Sequence, residues 1–429
     1  MHFSKRFIQL DIIVDKIMTE APLAMGKSSP KIMFVVALLV AVFAAAIIDV
    51  VLPINMVDIA ATFSILPGTV AQLNSLIAVA SVVTALFLGG FGSRFRYKSW
   101  LLVGTLLIAF CAIGLYLAPT FSIAQLIVPL NGIGSVMIVV TAQTFIGNSY
   151  PLDKKAKAIG WVSAAGTLAN AVGAPIIGFM TGLGGWRFSL IWFMFPTALF
   201  SLIFVLLAFP YNPPRQLLND KKEAFIRGFR QVLTNKSAVA CLLGSFLGTA
   251  SLFGSVVFEI TFLRQMFSAS PGFAALIGTL AGTSLIAVGA VVGGHVVNRV
   301  GRKRLTVIGS FWASLFALIA YFMQDLSAFI ALRWIGAILL GVTVAAASNL
   351  ILEQVPQFRG TAMSLSSAVT GVGTAVGITV VGAVLNLYAD LTIGFQALGL
   401  TVAAFGFAGT LVILLFAKDP FKNATVKSK

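Results

Sequence analysis

The sequence predicts an all-α membrane protein with twelve transmembrane helices, and three observations lead to this prediction. The chain of 429 residues is 59% hydrophobic and only 10% charged, whereas soluble domains carry about 25% charged residues. Apolar runs of about 20 residues, each long enough to cross a bilayer, recur along almost the whole chain. These runs are continuously apolar, which excludes a membrane β-barrel, because its strands would alternate in segments of about 10 residues.

The apolar runs divide the chain into two similar sets of six predicted spans. The spans cover residues 32–56, 70–92, 99–118, 121–145, 157–182, 187–209, 237–263, 271–297, 304–324, 327–350, 361–386 and 392–416. The resulting organisation is an N-terminal tail (1–31), a first six-helix bundle (32–209), a linker (210–236), a second six-helix bundle (237–416) and a C-terminal tail (417–429).

The basic residues predict the orientation of the chain in the membrane. Of the 29 Lys and Arg residues, 26 lie in tails and loops that share one side when the N-terminus is cytosolic. Arg187 and Arg264 fall on the other side, and Arg333 falls within a span. Basic residues concentrate on the cytosolic side of membrane proteins. We therefore expect both termini in the cytosol of a cell-membrane protein, and the net charge of +16 then reflects topology rather than binding to nucleic acid.

Two segments outside the spans have the pattern of amphipathic helices. In the N-terminal tail the apolar stripe consists of Phe3, Phe7, Leu10, Val14 and Ile17, which suits a helix on the inner leaflet. Alternatively, Met25 is the true start and residues 1–24 are a misassigned extension. In the linker the stripe consists of Phe225, Ile226, Phe229, Val232 and Leu233, which predicts a cytosolic helix on the membrane surface.

The two halves of the chain resemble each other at an offset of 204–205 residues. Gly89–Lys98, which follows the second span, is matched by Gly294–Lys303 after the eighth. Ala171–Gly178 in the fifth span is matched by Ala375–Gly382 in the eleventh. Parallel repeats of this kind predict two six-helix bundles related by a pseudo-two-fold axis along the membrane normal.

These features together resemble the major facilitator superfamily over residues 30–416. The family carries a loop of the type Gly-x-Leu-Ala-Asp-Arg-x-Gly-Arg-Lys after its second helix, often echoed after the eighth. The first copy here keeps Arg94 but has Ser93 for the Asp and Arg96 for the Gly. In the family this Asp belongs to a charge relay that holds the outward-facing state. The resemblance implies gating roles for Arg94 and for the better second copy, Gly294, Asn298, Arg299, Gly301 and Arg302.

Three segments resemble the drug–proton antiporter branch of that family. They are the first-span segment with Asp49 and Pro53, the segment Gly185–Phe188, and a loose version of the fifth-helix antiporter motif with Gly173 and Pro175. The resemblance implies conformational roles for Pro53, Gly173 and Pro175. For Pro53 a simple kink near the helix end is the alternative.

Two departures weaken the resemblance to the antiporter branch. Ala174 stands where the motif has a Gly before the Pro, and Val128 stands where the branch has an Arg in the fourth helix. The repeat offset maps Val128 onto Arg333 of the tenth span. The proton step that this Arg assists in the branch is therefore in doubt for this chain.

Asp49, Glu259 and Arg333 are the ionisable residues that we place inside the membrane. A charge at the bilayer centre costs about 2.5–3.5 kcal/mol on insertion scales, so each needs a partner, water or a proton. Counted from the predicted span ends, all three lie roughly 6–11 Å below the outer surface. In the family, the first, fourth, seventh and tenth helices line the central cavity. We therefore expect Asp49, Asn131, Glu259 and Arg333 in the substrate cavity, with Asp49 and Glu259 as proton-coupling groups.

Structural alternatives to these roles stay open. One alternative is that Glu259 and Arg333 form an ion pair that only joins two helices. Asn131 can equally hydrogen-bond a neighbouring helix instead of a substrate. Phe, Met, Leu and Ile dominate the spans, so the cavity is otherwise expected to be apolar.

The sequence shows no arrangement of residues that is typical of an enzyme active site. Cys111 and Cys241 lie in separate apolar runs, and His2 and His295 are too few and too distant for a metal site. There is no phosphate-binding loop of the Walker type and no nucleophile–base constellation. We expect no enzyme activity, no metal and no cofactor.

The sequence therefore predicts a secondary transporter that works by alternating access as a proton-coupled exporter of lipophilic or cationic small molecules. Its expected partners are a small-molecule substrate, protons and membrane lipids, and we expect a monomer. Two alternatives remain. One is uptake of an organic anion with Arg333 as counter-ion, and the other is a lipid flippase or scramblase.

Overall fold

The computed structural model describes residues 32–91, 97–149, 152–208 and 221–419, and within them every regular element is a helix. Twelve helical segments of this described part are long and apolar enough to cross a membrane. The predicted fold class is therefore confirmed. The predicted N-tail helix, the alternative start at Met25, the loop with Arg94 and the C-terminal tail beyond residue 419 lie outside the described residues.

Several spans contain more than one helical segment. The spans consist, in order, of Ile32–Ala46 with Ile48–Phe63; Pro67–Val70 with Gln72–Phe91; Tyr97–Leu117; Phe121–Ile127 with Pro129–Ser149; Leu152–Gly184; Trp186–Ser189, the π-helix Leu190–Met194 and Phe195–Ala208; Lys236–Met266; Pro271–Ala275, the π-helix Leu276–Ala281 and Gly282–Val300; Arg302–Ala320; Leu326–Gln354; Arg359–Asn386; and Leu391–Phe416. Lys221–Thr234 forms a helix in the linker, and Pro356–Phe358 is a short 3-10 turn.

Local capping explains where four of the six spans of the second half begin. The Asn235 side chain accepts hydrogen bonds from the amides of Ser237 and Ala238, at 3.0 and 3.2 Å. Asp325 accepts from the amide of Ala328 at 2.8 Å and caps the tenth span in the same way. Ser270 and Asp390 are the corresponding caps of the eighth and twelfth spans. Each cap satisfies amides that have no acceptor in the first helical turn.

The first span is longer than predicted and is interrupted near its middle. A break at Ile47 separates its two helices, and Pro53 lies inside the second. A proline ring displaces the carbonyl four residues earlier, here that of Asp49, so the distortion is expected just before the proline. The helix continues to Phe63 rather than ending at residue 56.

The two halves are related by pseudo-two-fold symmetry, and a pair of glycine contacts shows this directly. A Cβ built on Gly178 of the fifth span would come within 2.8 Å of the Cα of Gly272 in the eighth. The same close approach occurs between Gly382 of the eleventh span and Gly68 of the second. Gly382 follows Gly178 by 204 residues, and Gly272 follows Gly68 by the same number. This is the offset of the sequence repeat.

The linker helix Lys221–Thr234 confirms the helical pattern seen in the sequence. A Cβ on Gly228 would lie 2.7 Å from the Phe358 ring, so the helix packs closely on the second half. Of its apolar stripe, Val232 is fully buried, whereas Phe229 and Leu233 are 40% and 48% exposed. One part of the stripe is therefore buried inside the protein, and the other part is exposed on its surface.

Candidate functional site

The two halves pack together at one end of the molecule. We call this the closed end; it holds the turns at residues 64–66, 267–270 and 387–390. Here the second span contacts the eleventh, the fifth contacts the eighth, and the first contacts the seventh. The fourth and tenth spans and the helix Ile32–Ala46 make their extensive contacts only within their own half. The halves therefore diverge towards the opposite end.

An ion pair joins the halves at the closed end. The guanidinium of Arg264 in the seventh span donates to both carboxylate oxygens of Asp58 in the first, at 2.5 and 2.9 Å. It also donates to the carbonyl of Ile54 at 3.0 Å. A bidentate pair of this kind fixes orientation as well as distance. The first and seventh spans are thereby held together on this side of the molecule.

A second ion pair lies within the second half. Arg333 Nη2 in the tenth span donates to Glu259 Oε2 in the seventh at 2.5 Å. The side chains are 11% and 5% exposed, respectively. The ion pair that the sequence suggested as an alternative for these two residues is therefore formed. Arg333 Nε is buried without a hydrogen-bond partner among the described residues, so the guanidinium is only partly satisfied by Glu259.

Asp49 lies apart from this pair. It is exposed, although its neighbours Ile48 and Val50 are buried, and none of the described residues forms a hydrogen bond or ion pair with it. Because its helix continues to Phe63, Asp49 lies roughly 21 Å from that end at ~1.5 Å per residue. Glu259 and Arg333 lie roughly 10 Å from their span ends. The expectation of one common depth is therefore wrong for Asp49.

Glu259 and Arg333 line a cavity of about 180 Å³, which we call the C-half cavity because all its walls belong to the second half. Most of its lining surface is apolar, as expected, but it is not formed mainly by Phe, Met, Leu and Ile. Gly, Ser, Thr and Ala residues of six spans predominate, for example Gly248, Thr249 and Ser314. Small and hydroxyl-bearing residues recur where helices approach closely in membranes, which makes their cavity surface difficult to recognise from sequence.

Asn131 does not line this cavity. It is fully buried in the fourth span, and neither atom of its amide group has a hydrogen-bond partner among the described residues. The adjacent Gly132 lies against the second span, where a Cβ would come within 3.1 Å of Ser81 Oγ. In this conformation Asn131 is therefore placed between helices of the first half and has no access to a substrate in the C-half cavity.

The residues of the loop after the eighth span, for which the resemblance implied gating roles, lie at the end opposite to the closed end. Gly301 has a φ of +96°, which favours glycine, and it opens the ninth span. Arg302 Nη1 lies 3.7 Å from Glu353 Oε1 at the end of the tenth span. Arg299 is exposed, and a Cβ on Gly294 would meet nothing within 4 Å. The side chain of Asn298 is outside the described set.

The residues of the fifth-span motif lie within the single helix Leu152–Gly184. Pro175 is inside this helix, which continues past it. A Cβ on Gly173 would stand 3.7 Å from the Phe193 ring, an ordinary packing distance. The closest approach of this span to the other half occurs at Gly178, about one turn further on.

Arg187, in the segment Gly185–Phe188, joins spans of the first half. Its guanidinium donates to the carbonyls of Tyr116 and Ala118, at 3.0 and 2.7 Å. It also lies 4.6 Å from the Trp186 ring centre. These contacts satisfy carbonyls at the end of the third span.

No group of metal-ligating residues is present in the described part of the chain. Cys111 and Cys241 are buried and unpaired with each other.

Sequence reasoning missed several residues that this site uses. The predicted first span ends at residue 56 and the predicted tenth span ends at residue 350. Asp58 and Glu353 therefore fall outside the predicted spans. One signal was available: Pro67-Gly68 and Pro271-Gly272 are separated by the repeat offset of 204 residues and begin equivalent spans. They mark the glycine contacts between the halves.

Comparison with known proteins identifies the family. The Major Facilitator Superfamily profile matches residues 34–267 and 252–429, which together cover almost all of the chain. The chain belongs to the major facilitator superfamily. It is thus a multi-pass membrane transporter rather than an enzyme, as the sequence predicted.

Individual relatives are distant. An uncharacterised transporter of this superfamily from Bacillus subtilis, YwfA, is 24% identical over 92% of this chain and 95% of its own length. Multidrug resistance protein 2 of the same organism is 23% identical over 78% of this chain and 86% of its own. A bacterial homologue of the human lysosomal transporter Spinster, solved in an inward-facing conformation, superposes with a TM-score of 0.74 at 19% identity, covering 90% and 98% of the two chains.

Proposed function

We propose that this superfamily member is a proton-coupled exporter of lipophilic or cationic small molecules that works by alternating access. The observation that carries the proposal is the placement of Asp49. It is an exposed carboxylate near the middle of the first span, without an ionic partner among the described residues. Such a group inside a membrane protein requires water, a proton or a cation.

The other acidic side chains described within the spans are already paired. Asp58 contacts Arg264, Glu259 contacts Arg333, and Glu353 lies near Arg302. In each of these pairs an acidic and a basic side chain compensate each other. Asp49 therefore contributes the uncompensated charge, and that charge is negative, which favours a cation or a proton.

The helix packing supports a path from Asp49 to the opposite end. The neighbouring helix Ile32–Ala46 packs extensively on spans of its own half only, so the side facing the second half remains free. We place the opposite end in the cytosol, because the predicted cytosolic loops collect 26 of the 29 basic residues. In this conformation Asp49 would exchange its proton for cytosolic cargo. Rocking of the halves would then expose it to the outside, where a proton displaces the cargo.

The named relatives agree with this assignment at a coarse level. Multidrug resistance protein 2 of Bacillus subtilis and the Mycobacterium tuberculosis multidrug resistance protein Stp both match more than three quarters of this chain. Their identities of 23% and 22% are low, so the cargo class rests on Asp49 rather than on these names.

The decisive experiment compares variants of Asp49 in proteoliposomes with an imposed proton gradient. Asp49→Asn removes the titratable proton but keeps the size, so gradient-driven transport should fall to background while binding of a neutral lipophilic substrate persists. For a cationic substrate binding should weaken, because the attracting charge is lost. Asp49→Glu should retain coupling, and Glu353→Gln, which alters a paired acid, is the control. Full proton-driven transport by Asp49→Asn would exclude this mechanism.

A second candidate function is uptake of an organic anion. The observation in its favour is Arg333 Nε, a buried donor in the cavity wall without an acceptor among the described residues. Glu259 neutralises most of the charge that would attract an anion, which is why we rank this candidate second. Arg333→Gln should abolish anion uptake if this candidate is correct, and should leave cation export through Asp49 measurable if it is not.

A further inference from the structure

The C-half cavity combines a mainly apolar surface with polar groups that the sequence did not place there. Its walls carry many Ser and Thr hydroxyls, but most of these hydrogens are already donated within the protein. Thr249 donates to the carbonyl of Ser245 at 2.6 Å, Ser314 to that of Ser310 at 2.7 Å, and Thr343 to that of Leu339 at 2.9 Å. A hydroxyl has one hydrogen to donate and two lone pairs that accept. These groups can therefore act towards a ligand mainly as acceptors.

Hydrogen bonding around Tyr321 extends the same pattern. The Tyr321 hydroxyl donates to the carbonyl of Ser255 at 2.9 Å, so the Ser255 hydroxyl, 3.4 Å away, is the donor in their mutual contact. Ser255 lines the cavity, and Glu259, one turn further along, adds carboxylate oxygens to the same wall. The lining thus presents acceptor atoms from the hydroxyl-rich region up to the Glu259–Arg333 pair.

The cavity is elongated along the seventh span. Its seventh-span wall runs from Gly244 to Glu259, roughly 22 Å at ~1.5 Å per residue. A group that enters must displace water from the lone pairs, and it compensates for this only if it donates hydrogen bonds itself.

We infer that the C-half cavity selects cargo with N–H donors, that is primary or secondary ammonium compounds, over quaternary ammonium compounds of the same charge. The inference rests on the proposed function, since it takes the cargo to be cationic. Methylation of an ammonium removes its N–H donors, so a quaternary head group leaves the acceptors of the cavity wall unpaired. Loss of a buried hydrogen bond of this kind is a strong basis for discrimination.

The test uses two radiolabelled probes of equal charge, phenethylammonium and its N,N,N-trimethyl derivative, and measures binding to the purified full-length protein at pH 7. We expect phenethylammonium to bind at least tenfold more tightly. The double variant Thr249→Val with Thr343→Val replaces two acceptors by isosteric methyl groups. It should weaken phenethylammonium about tenfold and leave the trimethyl derivative unchanged.

The matched control is Thr401→Val. Thr401 also donates to a carbonyl of its own helix, that of Ala397 at 2.8 Å, but it does not line the cavity. Equal affinities of the wild-type protein for the two probes would overturn the inference without touching the proposed function. An equal effect of the Thr249 and Thr343 changes on both probes would also overturn it. Binding of neither cation would likewise overturn the inference, whereas the proposed function is tested separately by the Asp49 variants.

Discussion

The Glu259–Arg333 pair shows how single residues can be confined to one arrangement inside a membrane protein. Both side chains are almost completely buried, and each carries the charge that makes the burial of the other tolerable. Removing one member leaves a buried charge without its partner, whereas removing both leaves none. Removing both members is therefore expected to destabilise the protein less than removing one.

Replacing one member should therefore destabilise the protein more than replacing both. We expect Glu259→Gln or Arg333→Gln alone to cost about 3–5 kcal/mol, and the double variant to recover a large part of that loss. Thermal unfolding of the detergent-solubilised protein measures the difference. Additive losses in the double variant would show that the two residues act independently.

At the scale of helices, glycine contacts and one ion pair hold the closed end together. A side chain on Gly178 would collide with the backbone of Pro271 and Gly272, at 2.9 and 2.8 Å. Backbone atoms cannot move aside as a flexible side chain can, so the helices themselves must separate. The Asp58–Arg264 pair adds an attraction between the first and seventh spans.

Gly178→Ala should therefore shift the protein away from the conformation with a closed end. Spin labels at Leu117→Cys and Leu387→Cys, which are 66% and 76% exposed, report the separation of the halves in a background lacking Cys111 and Cys241. We expect a new population at longer distance. Gly182→Ala is the matched control, because a Cβ there meets nothing within 4 Å. Identical distance distributions for both variants would argue against a role of the glycine contact.

Breaking the ion pair should have a smaller effect in the same direction. Asp58 is 29% exposed, so we expect Asp58→Asn to favour opening of the closed end by about 1 kcal/mol, roughly a fivefold change in the equilibrium. The exchange of both charges, Asp58→Arg with Arg264→Asp, should restore part of the closed population. The same pair of spin labels measures both variants, and failure of the exchange to restore closure would indicate that the contact is incidental.

At the scale of the whole molecule, the distribution of charge determines the orientation that the proposed mechanism needs. The predicted cytosolic tails and loops contain 26 of the 29 basic residues, and Arg187 and Arg264 lie on the side of the closed end. With this orientation the space beside Asp49 opens to the cytosol, as an exporter requires when it collects its cargo.

This orientation predicts the labelling of two single cysteines in intact cells. A membrane-impermeant maleimide should fail to label Ser428→Cys, because we place the C-terminal tail in the cytosol. Leu387→Cys lies in the turn at the closed end and should be labelled efficiently from outside. Labelling of Ser428→Cys but not of Leu387→Cys would invert the topology and with it the direction of the proposed transport.

The sequence by itself determined the class of fold, the twelve spans and the repeat. These depend on properties that each segment carries alone: an apolar length sufficient for the bilayer, flanking basic residues, and similarity at a fixed offset. It also indicated the pairing of Glu259 with Arg333, because two opposite buried charges at similar predicted depth require each other.

Only the tertiary structure decided which surfaces meet. Rotation of a helix about its axis determines whether Thr249 faces a cavity or lipid, and no apolar pattern reveals that rotation when all sides of a span are hydrophobic. The depth of Asp49 changed because its helix continues to Phe63, where Asp58 meets Arg264 of the other half. Contacts between residues about 200 positions apart arise from packing of the two halves, so they lie beyond the reach of local sequence patterns.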